Sequence, residues 1–290
     1  MSVFLQIIES LRGAVRCAYS PAGPWAAEPT ALSSIALDIH GELDASSRLA
    51  DQLADAQQHD GAIGALSEHD TPAWPTSLAV LAWIACDEAK YADNIRRGIE
   101  WTLTTHGKPA EPNPQVGHDP SILGWSWAAN THAWMEPTCM FVLALRAAGL
   151  SAHSRTREGV RLITDRLLPT GGSNFGSTLV LGQATLPQVQ STGLAMLALA
   201  GEINDDLRVA ASLEYLEASI GSETTTSSMC YGILGLTSHG RRPKLADVYL
   251  ERALAREMER GASEYKLALL ALAACKEMKS FPGFQQKAAT

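Results

Sequence analysis

The chain has 290 residues, a formal net charge of −8 and 46% hydrophobic residues, a composition that predicts a globular protein with a large core. The acidic balance argues against nucleic acids and anionic membrane surfaces as partners, because both attract basic proteins. The sequence also predicts no membrane span and no secretory leader, since it lacks a long apolar run and a basic start. Five widely spaced cysteines in apolar surroundings favour a reduced, cytoplasmic protein.

A helix-forming segment recurs six times along the chain, four times with a Pro-Thr or Ser-Thr pair followed by Ala and Leu. Two looser copies begin near residues 228 and 266. In all six copies the residue after the Thr position is small, and the sixth residue past it is Ala or Gly. This register predicts buried helices that approach one another closely. The four pairs are Pro29-Thr30, Pro75-Thr76, Pro137-Thr138 and Ser191-Thr192.

Amphipathic helices are predicted between the buried ones, because charges and aliphatic residues alternate there with helical spacing. They cover residues 47–55, 94–101, 157–166, 207–216 and 249–257. Alternating buried and amphipathic helices predict two concentric layers, an all-α, α/α toroid of about six helix pairs, complete or incomplete. An open solenoid of helix pairs is the alternative. We interpret residues 1–290 as one domain, with two long Pro- and Gly-rich loops, 107–135 and 169–187, over the mouth of the ring.

Short motifs between the helices resemble a known repeat. Residues 57–63 match a Gln-x-x-x-Gly-x-Trp element except for Ile63 in place of Trp, residues 97–102 match its start, and residues 171–176 match a Gly-Gly-x-x-aromatic-Gly turn. The pattern resembles the terpene cyclase and protein prenyltransferase superfamily, with its squalene-cyclase repeat. The resemblance implies the toroid fold and an isomerase that cyclises or rearranges a hydrophobic isoprenoid by acid initiation.

The resemblance also implies a catalytic acid. Class II cyclases of that superfamily open an inner helix with Asp-x-Asp-Asp-Thr-Ala, and the middle Asp protonates the substrate. With the motif's Thr on Thr138, the middle Asp falls on Glu136, the first on Trp134 and the last on Pro137. The alternative is that Glu136 caps its helix, as Glu28 would in the same register of the first copy.

Other candidates lie near Glu136 in sequence. His132 and Asp119 could orient or replace it, although both residue types are also common in loop turns. Aromatic rings around an apolar pocket suit an isoprenoid chain and stabilise a carbocation. The alternative is that each tryptophan packs in the core. The predicted substrate-binding residues are Trp25, Trp74, Trp125, Trp127, Trp134 and Cys139.

Metal and cofactor chemistry is not predicted. The prenyltransferase branch binds zinc, but Cys139 and Cys230 occupy a repeat position where small residues recur, so their small size explains them. Few other zinc ligands lie nearby in the sequence. No Asp-rich motif for a diphosphate is present. The sequence therefore predicts a cofactor-free enzyme with a hydrophobic small-molecule substrate, working as a homo-oligomer or with a partner helical domain. The alternative function is a non-catalytic toroid whose loop face binds a lipid, a peptide or a protein.

Overall fold

Six helices that are buried over most of their length alternate along the chain with six others that are more exposed. The computed structural model describes residues 3–67, 69–113, 115–202, 205–278 and 281–282, and helices account for most of these residues. The inner helices are α2 (Ala27–Ile39), α4 (Thr76–Asp87), α6 (Met135–Ala147), α8 (Val189–Leu199), α10 (Thr226–Ser238) and α12 (Glu264–Ala274). The outer helices are α1 (Val3–Gly13), α3 (Leu43–Asp55), α5 (Ala92–Thr104), α7 (Ser154–Asp165), α9 (Leu207–Ser219) and α11 (Ala246–Glu259).

The inner helices form a closed ring. Each of them packs against the next inner helix along the chain, and α12 packs against α2. The predicted α/α toroid is therefore confirmed in its complete form, with six helix pairs, and the open solenoid is wrong. Because the ring closes within one chain, no partner helical domain is needed to complete it.

Contacts at one end of the ring join the final turns of α2, α6, α8, α10 and α12, so these inner helices run in the same direction. At the end of the ring where they finish, the His40 imidazole lies 3.1 Å from the carbonyl oxygen of Ala271, and that of His239 lies 2.9 Å from the carbonyl oxygen of Met196. The Arg146 guanidinium likewise donates to the Ala198 carbonyl at 2.8 Å. These side chains provide partners for carbonyl groups that lie near helix ends. The opposite end, where the inner helices begin, is called the mouth below.

Small residues set the spacing of the inner ring. A Cβ atom on Gly193 of α8 would lie 2.4 Å from the carbonyl oxygen of Tyr231 in α10, and one on Gly235 would lie 2.5 Å from the carbonyl oxygen of Gly193. Two backbones can approach this closely only where no side chain intervenes. The predicted role of the small-residue register is confirmed at this pair of helices.

The repeated threonine has a structural function that its recurrence did not reveal. In three repeats its hydroxyl oxygen accepts a backbone N–H from the segment that precedes the inner helix. The pairs are Thr76 with Ile63 (2.9 Å), Thr138 with Trp125 (3.0 Å) and Thr192 with Ser173 (2.9 Å). Each bond satisfies a buried donor and fixes the incoming loop against the start of its helix.

The two long loops meet beside the mouth. The Met135 N–H donates to the carbonyl oxygen of Phe175 at 2.9 Å, and His118 Nδ1 lies 3.3 Å from Thr178 Oγ1. The second loop contains a short antiparallel hairpin of β1 (Leu179–Val180) and β2 (Gln183–Ala184), in which Leu179 pairs with Ala184. Within the described ranges, no helix is both long and apolar enough to cross a membrane.

Candidate functional site

Two buried glutamates lie at the mouth, each at the second position of an inner helix. Glu28 in α2 is 6% exposed and Glu136 in α6 is 5% exposed. Both helices begin before their Glu-Pro pair, so Pro29 and Pro137 occupy the third position, where a missing N–H leaves no intrahelical bond unmade. The helix dipole favours a carboxylate at these positions, but burial opposes its charge.

The two carboxyl groups bind neighbours across the mouth. Glu28 Oε2 accepts the Tyr19 hydroxyl at 2.6 Å. Glu136 Oε1 accepts the Ser191 hydroxyl at 2.8 Å, and its Oε2 accepts the side-chain amide of Gln190 at 3.2 Å. The N-cap of α6 is Trp134, and the bonds of Glu136 go to α8. Glu136 therefore connects two inner helices and does not act as a helix cap.

The environment raises the pKa values of both carboxyl groups. Burial raises the pKa of Glu28 to about 7, the negative charge of Glu136 raises it as well, and the Tyr19 hydroxyl and Lys266 oppose the rise. Burial also raises the pKa of Glu136, which Ser191 and Gln190 oppose through hydrogen bonds. Each ionised carboxyl group disfavours ionisation of the other, so the pair holds a proton to higher pH than an isolated glutamate does.

Phenols and an ammonium group complete the polar surroundings of this pair. The rings of Tyr19 and Tyr265 meet edge to face, with centroids 5.3 Å apart. The Lys266 ammonium bonds the Ser227 hydroxyl and lies 5.3 Å from the centroid of the Tyr265 ring. The charge of Lys266 lowers the pKa of Glu28, but burial outweighs this effect and the pKa stays raised.

Tyr231 of α10 has a buried hydroxyl without a partner, as Ser33 and Ser173 also do. The residue is 4% exposed, and within the described part of the chain nothing forms a hydrogen bond with its hydroxyl. Burial raises its pKa, and the charges of Glu28 and Glu136 raise it further, which places the phenol within the electrostatic reach of both carboxyl groups. A buried polar atom without a protein partner is costly unless it serves a ligand.

Some of the predicted site residues come together beside Glu136. The rings of His132 and Trp134 lie 4.3 Å apart, and with Trp127 they line a cavity of about 560 Å³. Trp127 also meets Trp74 at 4.7 Å in an edge-to-face contact. His132 is exposed and belongs to this cavity rather than to the carboxyl pair.

Other predicted residues lie elsewhere. Asp119 accepts the Ser121 hydroxyl at 2.6 Å and pairs with Arg161 at 3.4 Å; the Ser121 bonds and the arginine charge lower its pKa. These contacts make it a turn residue on the flank of the loop. Trp25 donates its indole N–H to Gln52 at 3.2 Å and lines a separate cavity of about 380 Å³.

Trp125 and Cys139 lie in the core. Trp125 is 2% exposed, its indole N–H donates to the Thr102 carbonyl at 3.0 Å, and its ring stacks on Phe141 with centroids 5.2 Å apart. Cys139 is fully buried, and burial raises the pKa of its thiol well above the usual value. Both serve packing, the alternative that the sequence left open for the tryptophan.

The sequence-based set missed Glu28, Tyr19, Tyr231, Tyr265 and Lys266. The sequence did mark Glu28, because it occupies the same repeat position as Glu136. A glutamate that occurs in two repeats favoured two helix-capping residues over a single catalytic acid. In a closed ring with parallel helices, a shared register brings both acids to the same mouth. No comparable pattern marked the three tyrosines. Among the described residues, no cluster of His, Cys, Asp and Glu could hold a metal ion.

Comparison with known proteins gives structural neighbours only. No protein-family model matches the chain, and no curated protein matches it. A protein from Actinoplanes is 15% identical with a TM-score of 0.59, over 91% of this chain and 81% of that one. A glycosidase variant in complex with glucose is 9% identical with a TM-score of 0.57, over 94% and 96%. The endo-β-1,4-glucanase CMCax from Acetobacter xylinum is 14% identical with a TM-score of 0.54, also over 94% and 96%. At these identities the common property is the fold.

The resemblance to the terpene cyclase and prenyltransferase superfamily is wrong. Two of the three neighbours described above are named as glycosidases, and none is named as a terpene cyclase. The predicted isoprenoid substrate, cyclisation chemistry and isomerase activity are therefore wrong as well. The mouth supplies a physical reason, because two carboxyl groups, three phenols and an ammonium group form a polar lining. A repeat register determines how helices pack, and different chemistries share one packing solution.

Proposed function

We propose that this protein is a glycosidase-like hydrolase that cleaves a glycosidic bond of a carbohydrate at the mouth of the toroid. The observation that carries the proposal is the pair of buried glutamates, Glu28 and Glu136, which lie at the same mouth and both have raised pKa values. Hydrolysis of a glycosidic bond typically uses two carboxyl groups, one protonated and one ionised. Glucose and β-1,4-glucan, which the neighbours' names mention, provide the substrate class.

In this proposal Glu28 is the general acid. Its pKa of about 7 keeps it protonated in slightly acidic solution, and it donates the proton to the leaving glycosidic oxygen as the C1–O bond breaks. Glu136 is the ionised partner, held in place by Ser191 and Gln190. It accepts a proton from the water whose oxygen bonds to C1. Proton exchange with solvent then restores both groups.

The ring geometry favours this division of roles. Helix α4 separates α2 from α6, and packed helices lie about 8–10 Å apart, so the two acids approach the bond from non-adjacent walls. We infer that a water molecule binds between the Glu136 carboxylate and the sugar, as in inverting hydrolysis. The unpartnered Tyr231 hydroxyl is suited to hold this water or a sugar hydroxyl, because it is within the influence of both carboxyl groups.

Three expectations from the sequence belong to the same proposal. We infer that residues 1–290 act as a single domain and that the loops 107–135 and 169–187 border the substrate, which is supported by their contact beside the mouth. We also infer a cytoplasmic location, which is supported by five free cysteines.

The test is hydrolysis of cello-oligosaccharides, followed by chromatography of the products. The wild-type protein is expected to release shorter sugars, and Glu28→Gln and Glu136→Gln are each expected to lower kcat by about 100-fold or more, as for loss of a general acid or base. Glu9→Gln, which changes an exposed glutamate of α1, is the matched control. Absence of hydrolysis across β-linked and α-linked oligosaccharides, or full activity in both variants, would refute the proposal.

A further inference from the structure

A second candidate site lies beside the mouth and takes no part in the acid–base chemistry. It is the cavity of about 560 Å³ lined mainly by Trp127, Trp134, His132, Asn130 and Lys108, which we name the tryptophan groove. Both indoles are half-buried and the imidazole is exposed, so the aromatic surfaces are accessible from solvent. Binding pockets for small ligands typically have volumes of about 300–1,000 Å³.

The groove is held in shape by backbone contacts within its own loop. The Lys108 N–H donates to the carbonyl oxygen of Thr131 at 2.7 Å, and the Trp134 N–H donates to that of Trp125 at 2.9 Å. A Cβ atom on Gly107 would lie 2.5 Å from the backbone nitrogen of Ala133, so the two sides of the loop are in direct contact. A preorganised wall lowers the entropy that a ligand loses on binding.

Contacts of the groove connect it to two inner helices that begin at the mouth. Trp127 contacts Trp74, which lies two residues before α4, the helix that separates α2 from α6 in the ring. Trp134 is the N-cap of α6, and Glu136 is the second residue of that helix. A chain-like ligand that reaches the carboxyl pair would therefore pass along these tryptophans on the Glu136 side.

The chemistry of the wall selects the ligand. Indole and imidazole rings offer flat apolar faces, and Lys108, Asn130 and Thr131 add hydrogen-bonding groups at the same cavity. A sugar ring matches this combination, since it has a face of C–H groups and a rim of hydroxyls. A hydrocarbon chain would use the ring faces but not the hydrogen-bonding groups. The residues that line the groove include no carboxylate, so the wall does not repel an acidic sugar.

We propose that the tryptophan groove binds sugar units of an oligosaccharide whose neighbouring unit lies at Glu28 and Glu136. This inference rests on the proposed function for the position of the cleaved bond, and it adds that the substrate is a chain rather than a single sugar. Longer oligosaccharides should then bind more tightly than short ones, because only they fill the mouth and the groove together.

The test is calorimetric binding of cellobiose and cellohexaose to the Glu28→Gln protein, which removes the proposed acid and so prevents turnover. Cellohexaose is expected to bind about tenfold or more tightly than cellobiose. Adding Trp134→Ala or His132→Ala should weaken binding of cellohexaose by about 5- to 20-fold, the scale of a lost aromatic contact, and leave cellobiose unchanged. Trp25→Phe is the matched control, because Trp25 lines a separate cavity.

The outcomes separate the two proposals. Equal affinities for the two sugars, or unchanged binding of cellohexaose after His132→Ala and Trp134→Ala, overturn the groove even if hydrolysis depends on both glutamates. Groove-dependent binding by a protein that hydrolyses nothing overturns the proposed function and leaves the groove standing. If Trp134→Ala does not fold, as judged by circular dichroism, the exposed His132 decides the test alone.

Discussion

Replacing Glu28 by Gln should change how stability depends on pH. Burial raises the pKa of this carboxyl group from 4.5 to about 7 in the folded protein. The unfolded chain then ionises at lower pH than the folded one, so the group's contribution to stability is fully present below pH 4.5 and disappears as the pH rises to about 7. A shift of this size corresponds to about 3 kcal/mol, since each pH unit is worth about 1.4 kcal/mol.

Gln cannot ionise, so the Glu28→Gln protein should not lose this contribution to stability as the pH rises. Urea denaturation at pH 5 and pH 8.5 gives the unfolding free energies of the wild type and the variant. The difference between variant and wild type should grow by about 2–3 kcal/mol toward the higher pH, in favour of the variant. Glu9→Gln is the control, because its side chain is exposed. If the difference between the Glu28→Gln protein and the wild type is the same at both pH values, Glu28 does not have a raised pKa.

Three further substitutions test single contacts. Tyr231→Phe should change the unfolding free energy by less than about 1 kcal/mol, because the hydroxyl has no protein partner in the described chain. The kcat for oligosaccharide hydrolysis should fall about tenfold or more. An unchanged kcat would exclude a role for this hydroxyl. Gly193→Ala should lower the unfolding free energy by about 1–3 kcal/mol by forcing α8 from α10, whereas Gly13→Ala, at an open position, should change it little. Thr138→Val should cost about 1–3 kcal/mol in thermal or urea unfolding by leaving the Trp125 N–H unpaired, and Thr138→Ser should restore the stability.

Much of the fold could be predicted from the sequence because the repeat constrains packing directly. Small residues in one register, such as Gly193 and Gly235, are needed wherever helices nearly touch, and their recurrence is visible in a single sequence. The amphipathic segments between them predict the outer layer for the same reason. The closure of α12 onto α2 was not encoded in any local pattern, since a solenoid would use the same repeats.

The site was less predictable because it depends on closure. Glu28 and Glu136 are 108 positions apart in sequence, as the two residue numbers show, and only the ring brings them within electrostatic reach. No sequence motif includes Tyr231, and it is a candidate site residue because its buried hydroxyl lacks a partner in the described chain. The prediction of the substrate class was wrong for another reason. The resemblance rested on packing residues such as Thr138, whose hydroxyl holds a loop against its helix.

We propose that Glu28 and Glu136 form one electrostatically coupled acid–base pair. The most direct measurement is an NMR titration of the Glu28 side chain, carbon-13 labelled at the carboxyl group, in the wild-type and Glu136→Gln proteins. We expect a Glu28 pKa of about 7 in the wild type and a lower value in the variant, because the substitution removes a neighbouring negative charge. A pKa close to 4.5 in the wild type, or the same raised value in both proteins, would contradict the claim.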